Sequence, residues 1–222
     1  DELARDFPGQ RLEVIPNALD LEEIDRLLSD PGEESSPQIS SPYILFLGRL
    51  DPQKGVDLLI EAFAKAAKGR DFRLVLAGPE YKFGYADQLR TAVQKAGVEN
   101  QVIFLGPVFG RRKWRVFQNA WACCHPSRSE GMSMASLEVA AAGTPLVTTY
   151  EAGVLDWPEN EGLLVHARVG EVAAALDQVF SWGDRERQDR GHQLRQLVEQ
   201  LYSWEAVGPQ WLNLYDDLLE RF

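Results

Sequence analysis

Two carboxylates, Glu130 and Glu138, stand with seven residues between them in Pro126-Ser127-Arg128-Ser129-Glu130-Gly131-Met132-Ser133-Met134-Ala135-Ser136-Leu137-Glu138. The first lies in a Gly/Ser loop. The second lies in the Ala-rich helix that follows, which Gly143 and Pro145 bring to an end. Unpaired N–H groups and the positive end of the macrodipole make a helix start an anion site. Carboxylates at the mouth and further along the helix can then hold the neutral hydroxyls of a ligand whose phosphates sit at that start. This is the chemistry of a nucleotide-sugar site. Spacing alone fits an ordinary surface helix equally well, with Glu130 favoured by the first turn and Glu138 solvated. The neighbouring segments decide between the two.

Gly48-Arg49-Leu50-Asp51-Pro52-Gln53-Lys54-Gly55 follows an apolar run and precedes a helical pattern. Gly48 permits close backbone approach, and Pro52 and Gly55 shape the turn. Arg49 offers a forked donor and Lys54 a mobile point charge for phosphate oxygens, although both would also pass as surface charges. Gly78, in Leu76-Ala77-Gly78-Pro79-Glu80, lets a ligand lie against the backbone at a second strand end, or simply makes a turn. Residues 103–108 repeat the arrangement, with Arg111, Arg112 and Lys113 opening the next helix. Their charge opposes the dipole, and a solvated basic patch is the simpler reading. Asn17 reads first as a turn residue, His125 as a satisfied strand-end histidine rather than an acid or base, and Gly143-Thr144-Pro145 as structural.

Bringing these loops together requires a scaffold. Strands are expected at 11–15, 43–47, 73–77, 102–105, 121–125, 146–149 and 162–165, and helices at 20–29, 54–68, 85–96, 111–119, 133–142 and 169–182. Strict β–α alternation with continuous apolar strands predicts an α/β fold, a Rossmann-like doubly wound parallel sheet with extra C-terminal helices. Such sheets bind ligands beyond the carboxyl ends of the strands, where the strand order reverses. The loops after Leu47, Ala77, Leu105 and His125 are therefore the ones that matter. Residues 31–42 read as a Pro/Ser/Glu-rich surface loop. From Asp184 the chain is helical and polar, and Ser203-Trp204-Glu205 opens a last helix whose Trp211 and Tyr215 read as packing residues.

The 222 residues, 45% hydrophobic and 26% charged, suffice for a sizeable core. A net charge of −11 argues against nucleic acid or an anionic membrane as the main partner. Cys123 and Cys124 are adjacent and point to opposite faces of a strand, so no disulfide framework is expected and a reducing, cytoplasmic setting fits. There is no signal peptide, transmembrane run, P-loop, GxGxxG or HExxH, and three scattered histidines exclude a clustered zinc site. Beginning at Asp1, the chain reads as a piece of something longer.

Together these segments resemble the GT4 family of retaining glycosyltransferases with the GT-B fold. The matches are Val14-Ile15-Pro16-Asn17-Ala18-Leu19-Asp20, Gly48-Arg49-Leu50 with Lys54-Gly55, Leu76-Ala77-Gly78-Pro79, residues 102–108, the Glu130 and Glu138 pair, Ala142-Gly143-Thr144-Pro145 and Gly162-Leu163-Leu164-Val165. They run in the family's order along nearly the whole chain. The resemblance implies the C-terminal, donor-binding domain of a two-domain enzyme that transfers a sugar with retention from a UDP-, GDP- or ADP-sugar. Residues 1–202 would form the Rossmann-like domain, and 203–222 a helix packing back toward an N-terminal acceptor domain. Any peripheral membrane association would run through that missing domain. By family pattern Arg49 and Lys54 neutralise the diphosphate, Glu130 lies beside the transferred sugar, and Glu138 holds the ribose. Gly48 and Gly78 let the donor approach, and the backbone N–H groups of Gly131, Met132, Ser133 and Met134 face sugar and phosphate. No cofactor or metal is implied, because fixed cations take its place.

The chain has Asn17-Ala18-Leu19-Asp20 where the family often has Asn-Gly-Val-Asp, and Gly131-Met132-Ser133-Met134 where many members have Gly-Phe-Gly-Leu. Ser133 would therefore meet the sugar differently. Two alternatives stand beside the first reading: a non-catalytic nucleotide-sugar-binding domain, or another GT-B enzyme such as an epimerase or a phosphorylase. A phosphorylase needs a covalent pyridoxal lysine. Fold alone does not choose among them.

Overall fold

The structure, a computed structural model, describes residues 5–7, 9, 12–29, 39, 41–154, 157 and 163–220. In chain order its elements are α1 (Leu21–Ser29), β1 (Tyr43–Leu47), α2 (Val56–Ala66), β2 (Arg73–Ala77), α3 (Tyr85–Ala96), β3 (Val102–Gly106), α4 (Gly110–Asn119) and β4 (Ala122–His125). There follow α5 (Met134–Ala141), β5 (Leu146–Thr149), β6 (Leu163–Val165), α6 (Val169–Ser181), α7 (Asp184–Leu201) and α8 (Trp204–Leu219). The six strands are parallel and ordered β3-β2-β1-β4-β5-β6, so the order reverses between β1 and β4.

The strand sequences account for their places. Every residue of Tyr-Ile-Leu-Phe-Leu in β1 is buried, as a central parallel strand covered on both faces demands, whereas β3 and β6 at the edges are half-buried. Alternation divides the core. Leu45, Leu47, Val75 and Cys123 face Trp114 of α4, Leu137 of α5 and Leu194 of α7. Ile44, Phe46, Leu74 and Cys124 face Leu59 of α2, Leu89 of α3 and Leu176 of α6. The adjacent cysteines thus point to opposite layers, both free and buried.

Three expectations change. Residues 12–18 form no strand: Val14 is 79% exposed and the segment joins no ladder among the described residues. Only Leu19 pairs, in an isolated bridge with Ser203 at the start of α8. The helix expected at 54–68 begins at Val56, because Gly55 at φ +68° stands between it and a 3-10 turn, Pro52–Lys54, capped by the Asp51 side chain. In α8 only Val207 is buried, while Trp211 and Tyr215 stack on an exposed face instead of entering a core. Most of 31–42, together with Arg11 and Gly162, lies outside the described residues. No described helix is long and apolar enough to cross a membrane.

Helix α7 crosses the end of α5 glycine to glycine. A Cβ on Gly191 would lie 2.0 Å from the Gly143 carbonyl oxygen. Alanine there gains about 1 kcal/mol of helix propensity, but a backbone oxygen cannot move aside as a flexible side chain can. Gly191→Ala is expected to lower stability by about 1–3 kcal/mol, the usual range for overpacking, read as a lower denaturant midpoint at unchanged slope.

Candidate functional site

The carboxyl ends of β1 and β4 carry two loops in direct backbone contact. A Cβ on Gly55 would meet the Pro126 carbonyl oxygen at 2.1 Å, so no larger residue fits at this left-handed position. Arg128 closes the same contact from the other side. Its N–H donates to the Gln53 carbonyl at 2.7 Å, and its Nη1 donates to the Pro52 carbonyl at 2.6 Å. Its guanidinium forks onto Asp57 in α2 at 2.8 and 2.9 Å. Burial opposes the Asp57 charge, but Arg128, helped by the Tyr85 hydroxyl at 3.1 Å, outweighs it and holds the carboxyl below its ordinary range.

This clamp sets Lys54 against Glu130. Lys54 Nζ donates to Glu130 Oε2 at 2.6 Å, and the Ser127 hydroxyl donates to the other carboxylate oxygen. Ser127 is itself held through its carbonyl by Thr149 Oγ1 at 2.6 Å. The pair is mostly shielded, with side-chain exposures of 20% and 13%. Helix α5 starts immediately beyond, capped by Ser133, whose hydroxyl accepts from the Ser136 N–H.

One expectation needs correcting at this loop. Ser133 is only 2% exposed, and its backbone N–H is committed to the Ala152 carbonyl at 3.0 Å, so its amide is not free for a ligand. Gly131, Met132, Met134 and Ala135 have no protein acceptor for their N–H groups among the described hydrogen bonds. Met132 Sδ instead accepts from the Asn17 N–H at 3.4 Å. The turn at Tyr150–Ala152 closes over this segment, and Gly153 fits because a Cβ would lie 2.3 Å from the Gly131 carbonyl oxygen.

Glu138, one turn into α5, has a partner that sequence reasoning missed. Lys113 Nζ in α4 donates to its Oε1 at 2.8 Å, and the same ammonium lies 4.5 Å from the Trp114 ring centre. Nothing in the basic start of α4 singles out Lys113; the tertiary approach of α4 to α5 does. Arg49 joins neither carboxylate, and its guanidinium stacks 4.3 Å above the Tyr81 ring. Gly78, at φ +141°, closes the loops: a Cβ there would sit 1.8 Å from the Gly48 carbonyl oxygen.

His125 is only half satisfied. Its Nδ1 lies 3.3 Å from Ser136 Oγ, and its buried Nε2 has no partner. Burial, reinforced by the Lys54 charge, holds its pKa down at about 3, so the ring is neutral through the physiological range. A small cavity of about 20 Å³ lies between His125 and the Lys54–Glu130 pair. A larger groove of about 480 Å³ runs behind the clamp past Asp57, Lys95 and Val169 and touches neither carboxylate pair. The larger groove is lined by the Arg128–Asp57 clamp, Glu61 and Lys95, and the smaller cavity by the Lys54–Glu130 pair.

Residues 23–195 match the profile of the family described as glycosyl transferases group 1. Over 96% of its length the chain is 31% identical to an uncharacterized glycosyltransferase of Methanocaldococcus jannaschii, of which it covers 56%. Sucrose-phosphate synthase from Thermosynechococcus elongatus shares a TM-score of 0.77 at 24% identity, over 100% of this chain and 56% of that one. The Anabaena HepE structure in complex with UDP and glucose gives 0.75 at 20% identity, over 94% and 58%. At these identities the solved structures speak to fold alone. The chain spans about half the length of the curated relatives it matches.

The clamp generates a direct expectation. Arg128→Gln removes the fork onto Asp57 while leaving the backbone bond to Gln53 in place. Because both side chains are partly exposed, with exposures of 40% and 46%, the loss is expected near the upper end for a surface pair, about 1 kcal/mol. Hydrogen exchange at the Arg128 and Glu130 amides should then quicken about fivefold, with the strand amides of β1 unchanged. Equal exchange in the variant would show that the loop holds itself without the clamp.

Proposed function

From the premise that the chain belongs to the group 1 glycosyl transferases, we propose that it is the half of such an enzyme that binds the nucleotide-diphosphate sugar. The observation that carries this reading is the pair of ammonium–carboxylate contacts, Lys54–Glu130 and Lys113–Glu138, bracketing the start of α5. Between them lie free N–H groups and the positive end of a helix, a place for phosphate. On either side lie carboxylates, places for hydroxyls. That order matches a sugar, a diphosphate and a ribose laid across the switch point of the sheet.

In the reaction, diphosphate leaves the anomeric carbon. Negative charge grows on the phosphate oxygens while the sugar gains oxocarbenium character. Lys54 has three donor hydrogens and can keep Glu130 while turning another toward the leaving group. Arg49 serves the same diphosphate by leaving the Tyr81 ring. Glu130, fixed by Lys54 and Ser127, places a carboxylate beside the cationic sugar and suits transfer with retention. Losing one such preorganised contact typically raises a barrier by about 3–4 kcal/mol. Lys113 holds Glu138 toward the ribose hydroxyls. UDP is the first nucleotide to test, because a structure of the same fold is described with UDP and glucose; GDP and ADP follow.

The acceptor would be brought by a further, N-terminal domain. The exposed face of α8, with Trp211, Leu212 and Tyr215, suits packing toward it, so that residues 203–222 belong with the interdomain region. The two free, buried thiols suit a cytoplasmic setting.

Isothermal titration tests the reading. At least one of UDP-, GDP- and ADP-glucose should bind, and Lys54→Ala should weaken binding by about 2 kcal/mol, roughly thirtyfold, the value of a hydrogen bond to a charged group. Glu138→Gln should weaken UDP but hardly change 2′,3′-dideoxy-UDP, since the hydroxyls it holds are then gone. Equal losses for both nucleotides would remove Glu138 from the ribose.

A further inference from the structure

A histidine with one nitrogen left over lies directly beneath the Lys54–Glu130 pair. His125 is 2% exposed, its ring edge packs against Phe46 at 5.8 Å between centres, and Nε2 has no partner among the described residues. A buried polar atom left unmade costs about 1–3 kcal/mol, so the position calls for a ligand atom.

The surrounding hydrogen bonds say which kind. Thr148 Oγ1 donates to the His125 carbonyl at 3.2 Å, and the Ser136 hydroxyl donates to Ser133 Oγ at 2.9 Å. Ser136 Oγ is then an acceptor, and the proton of His125 sits on Nδ1, donated to it at 3.3 Å. Nε2 carries a bare lone pair. Burial and the neighbouring ammonium keep the ring neutral. Ser133, having accepted the Ser136 proton, still has its own hydroxyl hydrogen to give.

The cavity they share is also lined by Gly48, Lys54, Ser127 and Glu130, and its volume of about 20 Å³ suffices for one oxygen atom with its hydrogens. A phosphate oxygen would set lone pair against lone pair at Nε2. A hydroxyl oxygen satisfies every group: it donates to Nε2 and accepts from Lys54 or Ser133.

We propose that His125 Nε2, Ser133 Oγ and Lys54 form a subsite for a single hydroxyl oxygen under Glu130, and that His125 is a specificity-determining residue of the donor site. The inference rests on the nucleotide-sugar reading, which places the transferred sugar beside Glu130. The oxygen has two sources, a hydroxyl of that sugar or a bound water that supports the Lys54–Glu130 pair. Both use the same O–H donor, and the experiment separates them.

The test is titration of UDP-, GDP- and ADP-glucose, and of the matching diphosphates, against wild type, His125→Asn and His125→Gln. Asparagine keeps a donor near the Nδ1 position but loses the Nε2 acceptor, whereas glutamine reaches the Nε2 position. His125→Asn is expected to weaken the nucleotide sugar about five- to tenfold, one hydrogen bond, and His125→Gln to restore most of it. A loss confined to the nucleotide sugar assigns the oxygen to the sugar and supports the specificity role; an equal loss with the bare diphosphate assigns it to water and overturns that role. Wild-type affinity in His125→Asn for both ligands overturns the subsite while leaving the nucleotide-sugar reading intact. Failure of all three nucleotide sugars to bind wild type overturns that reading and the subsite with it. Should His125→Asn not fold, the imidazole nitrogen resonances of the wild-type protein decide. The Nε2 signal is expected to move on addition of the bound nucleotide sugar, and a signal that stays in place overturns the proposal.

Discussion

Lys54 reaches Glu130 because β1 and β4 are neighbours and their loops touch through the Gly55 backbone. A Cβ at Gly55 would stand 2.1 Å from the Pro126 carbonyl oxygen, so the whole arrangement depends on one residue without a side chain in a left-handed turn. The strand order reverses at this place, and the connections leave in opposite directions, opening a crevice at the sheet edge. Arg128 then holds the two loops in register by bonding both carbonyls of the first and the carboxylate of the helix that follows it. With the loops fixed, the ammonium and carboxylate have little freedom left to lose on meeting a ligand.

The electrostatics follow from that geometry. In a chain of net charge −11, an anionic donor needs local cations that are not neutralised beyond use. Lys54 and Lys113 are each tied to one carboxylate in a half-buried setting, where such contacts are stronger than on an open surface. In the proposed reading the pairs would position the carboxylates for hydroxyls and keep ammonium hydrogens at hand for phosphate. Free N–H groups at the start of α5 add donors that carry no side-chain entropy.

Much of this was legible in the sequence. The helical patterns identified α1 to α8 and the apolar runs identified β1 to β6, because strands covered on both faces are built mostly of apolar residues; the buried polar ones, His125, Thr148 and Thr149, sit at the carboxyl ends of β4 and β5. Residues 11–15 misled for the converse reason: Leu-Glu-Val-Ile alternates like a strand, yet a strand exists only with a partner, and Leu19 bonds to the start of α8 instead. Glu130, Lys54 and Glu138 could be named from loop and helix chemistry, and the structure brings the first two into contact. Their partners were harder to read. Lys113 is 25 residues from Glu138 and Arg128 is 71 from Asp57, and no local pattern marks a pairing made by tertiary approach. Ser133 was expected to offer its amide to a ligand, but the covering turn at residues 150–152 takes that amide. His125 passed for an ordinary strand-end residue, since an unpaired ring nitrogen is visible only once its surroundings are known.

In the proposed reading the start of α5, between the two ammonium–carboxylate pairs, receives the diphosphate. A crystal structure of the chain with UDP, or with whichever diphosphate binds best, tests this most directly. The prediction is a terminal phosphate within hydrogen-bonding distance of the Met134 or Ala135 N–H and of Lys54 Nζ, with the ribose hydroxyls on Glu138. A nucleotide seated in the groove beside Asp57, Lys95 and Val169, its phosphates out of reach of Lys54, would contradict it.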